Sequence, residues 1–171
     1  IVFAVIGSHK KENNHSVADN QTNETTAEPT TEEETTTKAP TIEVDLMMIG
    51  DMLMHEGVVK SGLMDDGTYN FDHLYTNIAK DISSADIRIV NQETILGGSD
   101  FAYTGYPTFN SPWALGDAEV KAGFNIILHA TNHTLDKGLK GVENCLSFWK
   151  TYHPDTPVLG INETEEDYEN I

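Results

Sequence analysis

From Ile42 onward the hydrophobic positions alternate between two periods. Short, nearly continuous apolar runs occur in "IEVDLMMIG" (42–50), "DIRIV" (86–90), "FNIIL" (124–128) and "PVLGIN" (157–162). Such runs fit strands buried on both faces of a parallel sheet. Between them the spacing becomes helical. "FDHLYTNIAKDI" (71–82) puts Phe71, Leu74, Tyr75, Ile78 and Ile82 on one helical face. "SPWALGDAEVKAG" (111–123) reads as a helix with Ser111 as N-cap, Pro112 at the first helical position and Gly123 at its close. "GLKGVENCLSFW" (138–149) lines up Leu139, Val142, Leu146 and Trp149. The order β-α-β-α-β-α-β predicts a layered α/β fold with a mostly parallel sheet and right-handed crossovers.

The two ends follow neither period. "IVFAVIGS" (1–8) is apolar and β-branched, as expected at the end of a signal peptide or membrane anchor, so export is expected, either to the outer face of the membrane, held there by this segment, or as a secreted protein. Residues 9–41 hold nine threonines and six glutamates but almost no large apolar side chains. Such a tract cannot bury enough surface to offset its ordering entropy, and it reads as a disordered extracellular stalk. The expected organisation is therefore an apolar leader or anchor (1–8), a stalk (9–41) and one domain (42–171).

Net charge is −18, with acidic ends flanking a moderately acidic middle. No basic stripe exists to hold phosphates, so nucleic acid is not an expected partner. An anionic partner would need a cation between itself and this chain. The single cysteine, Cys145, excludes an intrachain disulfide and a thiolate-rich metal site, and reads as a small buried apolar residue.

In open α/β sheets ligands bind outside the carboxyl ends of the strands. The first strand run is followed by "GDMLMH", with Asp51 and His55; the second by "NQET", with Asn91 and Glu93. The third leads into "HATNHTLD", with His129, Asn132, His133 and Asp136. Each piece has a plain reading as a turn, a loop device or a helix cap. Together they bring carboxylates and imidazoles to one sheet edge, a donor set suited to a divalent ion such as Mn, Fe or Zn. His129 falls on the strand itself and reads as a packed histidine or one supporting the site from behind. The connection "GGSDFAYTGYPTFNSP" (97–112), with its glycines, aromatics and Asn110, is either a binding element or a self-packed Ω-loop.

Five stretches, "IGDMLMHEG", "SADIRIVNQET", "YTGYPTFNSP", "AGFNIILHATNHTLDKG" and "VLGIN", in that order, together resemble the CapA family of bacterial poly-γ-glutamate capsule biosynthesis proteins. That family is similar to calcineurin-like metallophosphoesterases. The resemblance runs from about Val44 to Asn162. It implies a layered metallophosphoesterase-like sandwich, held at the cell envelope, of which these residues would form the N-terminal half. It implies Asp51, Glu93, Asn132 and His133 as metal ligands, with His133 and Asp136 in the catalytic role, Asp136 orienting His133. His55, Asn91, Asn110 and His129 would contact substrate or support the ligands. One departure stands out: the usual Asp-x-His start is here Asp51-Met52-Leu53, so one expected ligand is missing.

Three function classes stay open. The resemblance points to synthesis, export or anchoring of poly-γ-glutamate or a related capsule polymer. Its expected partners are the anionic polymer or its precursor and membrane-bound capsule synthesis machinery. The alternatives are a metal-dependent hydrolase of another substrate and a non-enzymatic, polymer-binding scaffold.

Overall fold

The structure is a computed structural model, and it describes residues 41–169. The expected leader and stalk lie outside the described residues. Four strands, β1 (Leu46–Ile49), β2 (Ile87–Asn91), β3 (Ile126–Leu128) and β4 (Val158–Leu159), form one sheet in the order β1-β2-β3-β4, every neighbouring pair parallel. The α/β class and the parallel sheet are as the periodicity predicts.

The register decides what each face carries. Ile49 pairs with Val90, Val90 with Ile127, and Ile127 with Val158, so these four share one face. That face holds the core: Ile49, Val90 and Ile127 are buried with Leu115 and Ala118 of α3 (Ala114–Ala122) and Cys145, Phe148 and Trp149 of α4 (Gly138–Tyr152). Cys145 is the buried thiol expected. The opposite face carries Leu46, Met48, Ile87, Ile89, Ile126, Leu128 and Leu159, none of which packs into the core cluster. Leu46 and Met48 are 56% and 45% exposed.

Several elements differ from the sequence expectation. The first strand is shorter than 42–50. The single helix expected over 71–82 is a 3-10 turn, Asp72–Leu74, followed by the short α2 (Ala79–Ile82). Asn70 Oδ1 accepts from the Asp72 amide at 2.9 Å, and the Thr76 hydroxyl bonds back to the Asp72 carbonyl at 3.3 Å. These side chains compete with the helical ladder. Phe71, Tyr75 and Ile82 are buried nonetheless, since turns at this spacing present the same face. Two short helices went unsignalled, α1 (Glu56–Ser61) and α5 (Glu165–Glu169).

At α3 the cap is Trp113 rather than Ser111, because the Ser111 hydroxyl is held at 2.7 Å by that of Thr94. The helix does end at Gly123, whose φ of +107° is open to glycine at little cost. On α4 the buried stripe is Gly141, Cys145, Phe148 and Trp149, while Leu139 is 74% exposed. The small Gly141 and Cys145 let this side of the helix approach the core, which turns Leu139 outward.

Candidate functional site

The backbone ladder continues past the ends of the strands. The Met52 amide donates to the Asn91 carbonyl, that of Gln92 to Leu128 and that of His129 to Leu159, all within 2.9 Å. The segments after β1, β2 and β3 therefore stay in register as they leave the sheet. Thr131 Oγ1 donates to the Glu93 carbonyl at 2.7 Å, binding the second segment to the third.

Asp51 opens the site at a φ of +46°, the one left-handed non-glycine among the described residues. Its Oδ1 accepts from Asn91 Nδ2 at 2.6 Å. Glu93 Oε1 lies 3.9 Å from His133 Nε2. His133 Nδ1 lies 2.8 Å from Asp136 Oδ2, which also accepts from the Phe109 amide at 2.7 Å. A carboxylate accepts and does not donate, so the Nδ1 proton of His133 points to Asp136 and Nε2 is left facing Glu93. The side chains of Glu93, His133 and Asp136 are only 16%, 16% and 13% exposed.

Burial pushes the Glu93 carboxyl above its ordinary pKa and the negative charge of Asp51 adds to this, while His133 and His55 pull the other way. Glu93 thus lies within electrostatic reach of Asp51, His133 and His55. The Phe109 ring stands between the two imidazoles, edge-to-face with both, 4.5 Å from His133 and 5.3 Å from His55. Nothing in the sequence singled out Phe109; the aromatic density of 97–112 was its only signal.

Two expected residues move out of the site. Asn110 is fully buried as the staple of the long connection: Oδ1 accepts from the Gly97 amide at 2.9 Å and Nδ2 donates to the Gly98 carbonyl at 3.0 Å. A Cβ on Gly97 would lie 2.6 Å from that Oδ1, so only glycine fits the approach. Asn110 is therefore a packing residue rather than a substrate contact. His129 also turns into the core, where Nε2 accepts from Trp149 Nε1 at 3.0 Å and burial brings its pKa down to about 3. It is a neutral packed histidine, the first of the two readings its place on the strand allowed. Asn132 is exposed on the strand-end loop.

Among the described residues no three His, Cys, Asp or Glu side chains converge as a group able to hold a metal ion. The Glu93–His133 pair is the best approach to one. Bonds of about 2.0–2.2 Å from each donor would span a separation of this order. The donor chemistry fits a divalent ion, and the described residues bring two donors together rather than a complete shell.

The model of the family described as "Bacterial capsule synthesis protein PGA_cap" matches residues 45–171. The chain belongs to this capsule synthesis family. The match covers the whole ordered sheet and the strand-end site with it. Neither a curated protein nor a solved structure matches this PGA_cap chain.

Proposed function

We propose that this PGA_cap protein works at the outer face of a bacterial membrane in the synthesis, export or anchoring of poly-γ-glutamate or a related capsule polymer, with the strand-end cluster as its working site. The observation that carries the reading is the line from Glu93 through His133 to Asp136. A shielded carboxylate faces the free ring nitrogen of a histidine whose other nitrogen is fixed by a second carboxylate. Such a line presents the Nε2 lone pair as a donor toward Glu93, with Asp136 fixing the tautomer and raising the basicity of the ring.

Glu93 and His133 Nε2 are the donors that would hold a divalent ion, with Asp51 adding negative charge alongside. Bound there, Mn, Fe or Zn would supply polarisation of a phosphoryl or carbonyl oxygen and activation of water. Its charge would also let an acidic chain of net charge −18 accept an anionic polymer. Export and contact with membrane-bound capsule machinery rest on the apolar residues 1–8 and the Thr/Glu tract after them.

A non-enzymatic scaffold is the second reading, favoured by the Asp51-Met52-Leu53 departure and by the absence of a third converging donor among the described residues. Metal content and capsule production in Glu93→Ala and His133→Ala strains separate the two. The catalytic reading expects loss of bound metal and of polymer from both. Normal capsule from both variants would leave only the scaffold.

A further inference from the structure

The connection 97–112 is built into the site, and one of its side chains has no assigned task. Thr104 and Asn110 pair across it as an antiparallel bridge, with reciprocal backbone hydrogen bonds of 3.1 and 3.0 Å. Its base is stapled by Asn110 and by Trp113 Nε1, which donates to the Leu96 carbonyl at 2.9 Å. Its far side is held by Lys137, whose ammonium donates to Thr104 Oγ1 at 3.0 Å and to the Thr108 carbonyl at 3.1 Å. Phe109 leaves this frame twice toward the chemistry. Its amide donates to the carboxylate that orients His133, and its ring, 1% exposed, fills the gap between His133 and His55.

We propose that Phe109 is a positioning residue: its ring, wedged between two imidazoles contributed by different segments, fixes their orientation and keeps His133 Nε2 facing Glu93. His55 follows β1 and His133 follows β3, so no covalent neighbour relates the two rings. Edge-to-face contact on both sides sets the tilt of each ring. The same residue's amide shares Asp136 Oδ2 with His133 Nδ1, so ring and backbone of Phe109 act on one dyad. Supporting contacts of this kind decide whether a site is held to the tolerance that chemistry needs.

The inference rests on reading this cluster as the working site, and its test separates the two. The full chain is compared with Phe109→Leu, which keeps most of the apolar volume and loses the aromatic edges, and with Phe109→Ala. Imidazole ¹H–¹⁵N spectra report whether His133 keeps its Nδ1–H hydrogen bond to Asp136 without any metal, and titration with Mn²⁺ or Zn²⁺ reports affinity. Expected is a persistent His133 Nδ1–H signal in the wild type and a broadened, rapidly exchanging one in Phe109→Leu, as the ring loses its fixed orientation on Asp136, with metal affinity reduced about tenfold while the thermal midpoint moves little. Phe109→Ala is expected to go further in the same direction. An unchanged His133 Nδ1–H signal in a folded Phe109→Leu would overturn the proposal. A wild type that binds no metal, with the His133 Nδ1–H signal still weakened in Phe109→Leu, would overturn the metal reading and leave Phe109 in its positioning role.

Discussion

Asp51 is the residue where backbone and charge conflict most openly. A left-handed φ on a residue with a Cβ costs on the order of 1 kcal/mol, and aspartate is one of the few side chains that tolerates it. Its carboxylate also raises the proton affinity of Glu93 by repulsion. Asp51→Gly is therefore expected to hold or raise the thermal midpoint by a few degrees while abolishing whatever the site does; Asp51→Ala keeps the strain, loses the Asn91 contact and should melt lower than Asp51→Gly. Thermal unfolding of both variants checks this, and equal midpoints would remove strain from the account. Glu119 makes the opposite case, a titratable group sunk in the core. It is fully buried in α3 beside the Tyr75 hydroxyl, and neither group closes a hydrogen bond of normal geometry. Burial holds its pKa well above the carboxylate range, so the folded chain keeps a proton that the unfolded chain releases above about pH 4.5. That contribution is fully present in acid and declines with rising pH until the folded pKa is reached. Urea unfolding of Glu119→Gln against the wild type should show a stability difference that favours the variant increasingly from about pH 4.5 upward, by at most about 1.4 kcal/mol per unit. A difference flat across that range would mean that Glu119 is ionised in the fold.

At the scale of elements, the connection 97–112 matters more than any helix. Asn110 satisfies donors and acceptors at both ends of its curve, and truncating it strands the buried Gly97 amide and Gly98 carbonyl. Asn110→Ala should therefore cost about 2–4 kcal/mol and loosen Phe109 with it, read as a lower denaturation midpoint together with faster amide exchange over 97–110. Retained protection there would assign the loop's order to Lys137 and Trp113 instead. The sequence carried the strands well, because a two-sided apolar run has few other uses. Its spacing also carried Asp51, Glu93 and His133 to one edge, since a parallel sheet delivers every strand's carboxyl end to the same side. It misread 71–82, where Asn70 and Thr76 side chains outcompete the helical ladder that the apolar spacing invites. It misjudged Ser111 and Asn110 for a common reason: short polar side chains bond whatever the tertiary fold brings near. Here that was Thr94 for the first and the loop's own backbone for the second. Phe109 was illegible because one aromatic among several in a loop has no periodicity to mark it.

Among the described residues the sheet carries the core on one face and apolar side chains outside that core on the other. Leu46, Met48, Ile87, Ile89, Ile126, Leu128 and Leu159 form a contiguous patch on a parallel sheet, an arrangement that native folds cover on both sides. Charge works against association through it, because a chain of net charge −18 repels its own copies. That repulsion is screened over about 30 Å at 10 mM salt and about 10 Å at 100 mM, whereas apolar attraction is not weakened by salt. The 171-residue chain should therefore bind a hydrophobic dye such as ANS at low ionic strength while remaining dispersed. Light scattering should then rise with salt, as repulsion fades before attraction does. Met48→Glu combined with Ile126→Glu places charge on the middle of the patch without touching the core face. It should lower dye binding severalfold and suppress the salt-induced scattering. Dye binding equal to wild type in a folded double variant would show that the patch is not the exposed apolar surface, and salt-independent scattering would show that charge does not govern association.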